Sequence, residues 1–194
     1  MTPTVETANG ARAHSRLASP PTTFARYEPG HPDVDLWITK WWFKMTADGD
    51  LARSLSEQCQ TLGQLFGLIA SPTKYVLFVT DDDGIWFAAW FEPSLTGVFM
   101  GMWCSRERRR TRAGLHVLLD AWEWALLRWP VVLGITKQPD ILDEHRRLGY
   151  AVHEPPVPHW FDGRPTWVLS LTRAGFAPVF QRLRKRWPAW EGVR

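Results

Sequence analysis

The sequence is poor in the features that define several protein classes. It has two cysteines among 194 residues, too few for a disulfide framework or a cysteine-based zinc site, and we expect a reducing compartment. Its longest apolar runs, such as residues 85–91, are far shorter than the roughly 18 residues of a membrane span. The N-terminal residues lack the charged-then-apolar order of a signal peptide. We therefore expect a cytoplasmic protein with no metal and no membrane attachment.

The net charge is only +3 and is unevenly placed. Residues 106–112 contain five Arg and one Glu, and residues 177–194 contain four Arg, one Lys and one Glu. Each segment has a net charge of +4, so the rest of the chain has a net charge of −5. Nucleic-acid binding ordinarily needs a broader basic face. The two clusters fit discrete anionic ligands or protein partners better.

The chain divides into an arm, one domain and an extension. Residues 1–22 show no apolar period and predict a flexible arm, and residues 173–194 form a basic, Trp-containing extension. Residues 23–172 predict a single α/β domain, with a mixed parallel and antiparallel sheet and helices on both faces. The predicted elements are strand 23–28, helix 32–45, helix 51–69 capped by Asp50, strands 75–80, 85–91 and 98–104, helix 111–128, strand 131–135, helix 139–147, and strands 150–153 and 166–171.

Two short motifs lie in this pattern. The first, between a strand and a helix, is Arg109-Arg110-Thr111-Arg112-Ala113-Gly114, and the second is His145-Arg146-Arg147-Leu148-Gly149-Tyr150. Together with the element order, they resemble the GNAT superfamily of acyl-CoA N-acyltransferases over roughly residues 23–171. The first motif departs from the family pattern because Arg112 replaces a Gly. The second departs from it because His145 stands where the family usually has Tyr. The resemblance implies the GNAT fold, with acetyl-CoA as co-substrate and an amine as acceptor.

The first motif also has a physical interpretation of its own. A loop that enters a helix presents unpaired backbone N–H groups and the positive end of the helix dipole, which suits a pyrophosphate. Arginines add charge-assisted hydrogen bonds, and a glycine allows close backbone approach. Residues 109–114 are therefore the predicted coenzyme-binding loop, with Arg112 either closing it or binding phosphate itself. A solvated face or a protein-docking patch are the alternatives.

The resemblance implies catalytic roles for further residues. Backbone groups of Met102, Trp103 and Cys104 would line the coenzyme, and one N–H would polarise the thioester carbonyl. His145 would supply the proton for the leaving thiolate, since histidine can donate a proton near neutral pH. Glu92 is the candidate base. The alternatives are that His145 is a surface residue of a helix and that Glu92 is an ordinary turn carboxylate.

Other polar residues have simpler interpretations. Cys104 could be a nucleophile beside the arginines, but a structural thiol is favoured. Residues 81–83, three aspartates before a Gly, favour a hairpin turn over a metal site. His153 and His159 either line the acceptor site or are simply exposed, and exposure is favoured.

The C-terminal extension has apolar residues at helical spacing, namely Phe180, Leu183, Trp187 and Trp190. It could pack on its own domain, dock into a protein partner or a second copy, or lie on an anionic membrane. Because the predicted sheet is complete by Leu171, we expect removal of residues 177–194 to leave a folded domain but to abolish self-association or partner assembly.

Two functions are consistent with these patterns. The first is an acyl-CoA-dependent N-acetyltransferase with an unidentified amine acceptor. The second is a non-catalytic member of the fold that acts in assembly, for example in a phage virion. The small number of candidate catalytic residues and the presence of Arg112 in place of a Gly favour the second function. The two motifs favour the first.

Overall fold

A six-stranded mixed sheet lies at the centre of the protein in a computed structural model, which describes residues 5–7, 23–25, 27, 30, 32–51, 59–109, 111–159 and 162–186. In chain order the elements are β1 (Val5–Thr7), β2 (Thr23–Ala25), α1 (Pro32–Ala47), α2 (Leu62–Ile69), β3 (Tyr75–Asp81), β4 (Gly84–Pro93), β5 (Val98–Cys104), α3 (Arg112–Arg128), β6 (Val131–Thr136), a 3₁₀ turn (Pro139–Ile141), α4 (Leu142–Arg147), β7 (Ala151–Pro158), β8 (Pro165–Thr172) and α5 (Arg173–Arg186).

The sheet has the spatial order β3-β4-β5-β6-β8-β7. Its pairs are antiparallel except β5 with β6, which is parallel. The predicted α/β class with a mixed sheet is confirmed. β1 and β2 form a separate antiparallel pair, so part of the predicted N-terminal arm is a strand.

The helix predicted over residues 51–69 is wrong in its middle. Thr61 accepts the backbone N–H of Gln64 at 3.2 Å, and the Gln64 side chain accepts the backbone N–H of Thr61 at 3.0 Å. This capping box begins a new helix at Leu62. The apolar residues keep a helical spacing on both sides of Thr61, so their pattern gave no sign that a new helix begins there. Residues 52–58 lie outside the described residues.

Two core clusters lie on the two faces of the sheet. On one face, α3, α4 and α5 pack around Trp122 and Leu171. On the other, α1 and α2 pack Trp41 and Leu65 against Trp103 of β5. β3, β4 and β5 contribute side chains to both clusters, which explains why β4 is apolar almost throughout.

The C-terminal extension packs on the core through α5 as far as Leu183. Phe176 and Val179 of α5 are buried, and the Phe176 ring meets Trp122 edge-on at 5.9 Å between centroids. The expectation that the extension is not needed to close the core is therefore wrong for α5, since Val179 is buried and Phe180 and Leu183 pack on the same cluster. The folding of a chain without residues 177–194 stays a prediction. Residues 187–194, with both C-terminal tryptophans, lie outside the described residues.

β7 is longer than the sequence predicted. β7 continues through the Pro-rich residues 154–158, which the sequence predicted as a loop. It lies at the edge of the sheet, where proline is tolerated because fewer ladder bonds are needed.

Within the described residues, no helix combines the length and apolarity that a bilayer crossing requires.

Candidate active site

An opening separates the two parallel strands at the centre of the sheet. β5 and β6 pair at Val98–Val132 and Phe99–Leu133. Beyond these residues the two strands, both described throughout, are no longer paired with each other. β5 stays paired with β4 as far as Cys104, so its other edge faces the opening. Backbone groups of adjacent strand residues point to opposite edges, so one of Met102 and Trp103 directs its N–H into the opening.

A tight loop, residues 105–111, connects the open end of β5 to α3. We call it the coenzyme loop after the role that the sequence predicts for residues 109–114. The N–H groups of Arg108 and Arg109 both donate to the Ser105 carbonyl oxygen at 3.0 Å. Thr111 caps α3 by accepting the N–H of Gly114 at 3.2 Å, and its hydroxyl donates to the Arg108 carbonyl oxygen at 2.8 Å. The helix N-terminus therefore directly adjoins the open strand edge.

Gly114 allows this close packing. A Cβ at this position would lie well inside contact distance of the Arg108 carbonyl oxygen and 3.6 Å from the Cys104 sulfur. The glycine of the motif is thus required by packing of the helix on its own loop. Our sequence argument gave it a different purpose, the approach of a phosphate.

Arginines of the coenzyme loop bind oxygens of the surrounding protein. Arg106 donates to the Asp48 carbonyl oxygen. Arg108 pairs with Asp81 of the β3–β4 hairpin at 3.2 Å and lies over the Trp86 ring, 5.5 Å from its centroid. The aspartate cluster therefore serves both the predicted hairpin turn and the loop. Arg110, which we predicted to bind the coenzyme, lies outside the described residues.

Arg109 makes the most buried of these contacts. Its guanidinium pairs with Asp50, which is fully buried, and its Nε donates to the Cys104 carbonyl oxygen at 2.7 Å. Asp50 also accepts a hydrogen bond from the indole N–H of Trp103 at 3.2 Å. The ion pair joins the end of α1, the end of β5 and the coenzyme loop. Arg109 could bind a phosphate only with the guanidinium N–H groups that this pair does not use. The helix cap predicted for Asp50 involves residues 52–58, which lie outside the described residues; the contacts described for its side chain are those with β5 and the loop.

The Cys104 thiol is not set up as a nucleophile. Burial raises its pKa to about 11, although Arg109 and Arg108 act in the opposite direction. The thiol is therefore protonated at neutral pH. This agrees with the favoured structural interpretation.

His145 lies in α4, and its ring orientation is fixed. Its Nδ1 lies 2.9 Å from the Ile141 carbonyl oxygen, which can only accept, so Nδ1 carries a proton. The ring meets Tyr150 edge-on at 5.4 Å between centroids. Nε2 is the nitrogen that remains for proton exchange. Tyr150 itself is buried, and this burial raises its pKa strongly.

Glu92 lies at the opposite end of the opening from the coenzyme loop. It is directly opposite Phe99 in the β4–β5 ladder, five residues of β5 before Cys104, or about 17 Å along the strand. Its carboxylate pairs with Lys74 at 2.8 Å and is half exposed. The structure thus separates the candidate base from the loop and places Met102 and Trp103 between them.

A polar cluster at the open end of β6 was missed by our sequence reasoning. Asp162 accepts from Lys137 at 2.8 Å and pairs with His159 at 3.2 Å and Arg164 at 3.0 Å. The Lys137 hydrogen bond foremost, together with the Arg164 backbone N–H and the charges of Lys137 and Arg164, lowers the Asp162 pKa to about 2, while desolvation acts in the opposite direction. His159 is buried rather than exposed as expected, whereas His153 is exposed as expected. The sequence feature that could have pointed to this cluster is Lys137, a cation that directly follows strand β6.

Neither a protein-family model nor a curated protein sequence matches the chain. Solved structures do resemble it. One titled a putative acetyltransferase matches with a TM-score of 0.64 and 15% identity, covering 84% of this chain and 89% of its own. An uncharacterised Bacillus halodurans protein also has a TM-score of 0.64, at 7% identity, over 84% of this chain and 90% of its own.

A third similar structure is a mutant spermidine N-acetyltransferase from Vibrio cholerae. It matches with a TM-score of 0.55 and 9% identity over 72% of this chain and 93% of its own. The chain has the GNAT fold. At these identities the likeness extends to the fold alone.

Proposed function

We propose that the protein is an acyl-CoA-dependent N-acetyltransferase that transfers acetyl from acetyl-CoA to an amine. One observation carries the proposal: β5 parts from its parallel neighbour and runs directly into the coenzyme loop and the N-terminus of α3. An open strand edge can bind the amide groups of the coenzyme arm, and the helix N-terminus suits its pyrophosphate. A cytoplasmic location fits this function.

The residues support a direct transfer. The amine nitrogen attacks the thioester carbonyl carbon, and Glu92 accepts the amine proton through water. A backbone N–H of Met102 or Trp103 stabilises the oxyanion. The C–S bond then breaks. His145, as an imidazolium protonated on both nitrogens, gives its Nε2 proton to the thiolate and is left as the neutral ring, whose Nδ1–H still donates to the Ile141 carbonyl oxygen.

Coenzyme binding is tested by thermal unfolding with acetyl-CoA. At about 100 times its Kd, the coenzyme should raise the melting temperature by about 5 °C or more. Gly114→Ala should reduce that rise because the new Cβ displaces the loop. Gly67→Ala is the matched control, because a Cβ there meets no atom within 4 Å. An unchanged melting curve of the wild-type protein with millimolar acetyl-CoA would overturn the proposal.

A non-catalytic assembly role, for example in a phage virion, is the second candidate. The observation that favours it is that Arg106, Arg108 and Arg109 already bind oxygens of the protein itself. Since α5 packs on its own domain, a partner or a second copy would have to bind elsewhere, for example through residues 187–194. The same melting experiment separates the two candidates.

A further inference from the structure

One half of the sheet has an apolar face that stays accessible. The pairing register places six side chains of β5, β6, β8 and β7 on the same side of the sheet, which we call the acceptor face: Phe99, Leu133, Ile135, Val168, Ser170 and His153. Phe99 is 43% exposed and Ile135 is 41% exposed. The cluster formed by α1 and α2 on this side contains side chains of β3, β4 and β5.

The opening between β5 and β6 leads to this face. On the opposite side of the sheet, α3 packs over β4, β5 and β6 through Val117 and its neighbours. A thioester held in the opening can therefore be approached from the acceptor face. Trp90 forms the wall on the β4 side, because its indole lies against Gly101, where a Cβ would collide with the ring. With Phe99, this makes the approach aromatic.

The charges near the acceptor face are already satisfied. Glu92, on the same side and directly opposite Phe99, pairs with Lys74 at 2.8 Å. Nε2 of His153 and Oγ of Ser170 bond to each other at 2.8 Å. The six side chains of the face include no carboxylate. A polyamine would have to desolvate its further ammonium groups here without anionic partners, which is costly.

We propose that the acceptor is a monoamine carried on an aromatic or apolar body, rather than a polyamine. The inference rests on the proposed acetyltransferase function. Trp90, Phe99 and Ile135 would bind the apolar body by removing it from water. The amine would project to the narrow end of the opening, where Glu92 lies.

The test is calorimetry of the full chain with phenethylamine and with spermidine, each with and without saturating coenzyme A. We expect phenethylamine to bind at least about tenfold more tightly. Ile135→Asp adds a carboxylate to the face, and should weaken phenethylamine about tenfold and strengthen spermidine. Leu127→Asp is the matched control, since Leu127 is 47% exposed on α3 and outside the face, and should leave both affinities unchanged.

The outcomes separate this inference from the proposed function. Absence of coenzyme A binding would overturn the proposed acetyltransferase function. A retained preference for phenethylamine over spermidine would still support the inference that the acceptor face binds monoamines with an apolar body. Spermidine binding as tightly as phenethylamine would overturn the inference whether or not coenzyme A binds. Absence of binding by both amines would also overturn it.

Discussion

The two halves of the sheet differ in how many of their faces are covered. β3, β4 and β5 contribute side chains to the core clusters on both sides. β6 and β8 contribute Val132, Leu169 and Leu171 to the cluster on the α3 side, while Ile135 remains exposed on the other. The opening lies where the two halves meet. The doubly covered half therefore holds a fixed strand edge and the other half leaves an accessible surface, which the proposed function assigns to the coenzyme and to the acceptor.

The sharpest test of this difference compares two phenylalanines. Phe176→Ala should lower the free energy of unfolding by about 3–5 kcal/mol, because the buried ring leaves a cavity beside Trp122. Phe99→Ala, on the acceptor face, should lower it by less than about 1 kcal/mol. Urea unfolding measures both. Equal losses would show that the acceptor face is covered in the folded protein.

The second test concerns the buried ion pair of Asp50 and Arg109, at the end of the opening next to the coenzyme loop. Asp50→Ala leaves Arg109 and the Trp103 indole without their partner. Breaking a buried pair costs about 3–5 kcal/mol, and we expect about 2 kcal/mol here because Arg109 is 36% exposed. Asp81→Ala removes the exposed pair with Arg108 and should cost less than about 1 kcal/mol.

Urea unfolding and acetyl-CoA binding are measured on both variants. The Asp50 variant should also bind the coenzyme more weakly, because the coenzyme loop loses its anchor on the end of α1. Normal acetyl-CoA affinity in Asp50→Ala, with only its stability reduced, would show that the loop keeps its shape without the pair.

Local patterns predicted most single elements of both halves well and the contacts between distant elements poorly. The bounds of β5 and α3 could be predicted because each carries a run of apolar residues that neighbouring elements bury, and because Thr111 caps α3. The pair of Asp50 and Arg109 could not, since the two residues are 59 positions apart and are brought together only by the fold. Packing of α5 on its own domain was one of three alternatives, and the sequence could not decide between them for the same reason. Its apolar stripe was visible, but Trp122, the surface it covers, is known only once α3 is placed.

The acceptor face was out of reach of the sequence for a different reason. Its residues come from four strands whose spatial order, with β8 between β6 and β7, is not their chain order. A register shift of one residue would turn every side chain of a strand to the other face. His153 was identified as a candidate, but its partner Ser170 follows only from the β7–β8 pairing.

The smallest expected effect distinguishes two histidines, one on each side of the sheet. His116 of α3 is buried, and its Nδ1 accepts a hydrogen bond from Arg184 of α5 at 2.6 Å. A guanidinium can only donate, so Nδ1 is unprotonated and the ring is neutral. Burial, followed by the charge of Arg184, lowers the pKa of His116, while Asp120 acts in the opposite direction. The unfolded chain therefore binds a proton at a higher pH than the folded one.

This linkage fixes the sign of the pH dependence. The stabilisation is fully present above the unfolded pKa of about 6.5 and is lost as the pH falls below it toward the lower folded value. Urea midpoints between about pH 7.5 and about pH 5 should therefore fall with pH in the wild-type protein and fall less in His116→Gln. His153→Gln, on the exposed acceptor face, should keep the wild-type slope. An unchanged slope in His116→Gln would mean that Arg184 is not held against a neutral imidazole in solution.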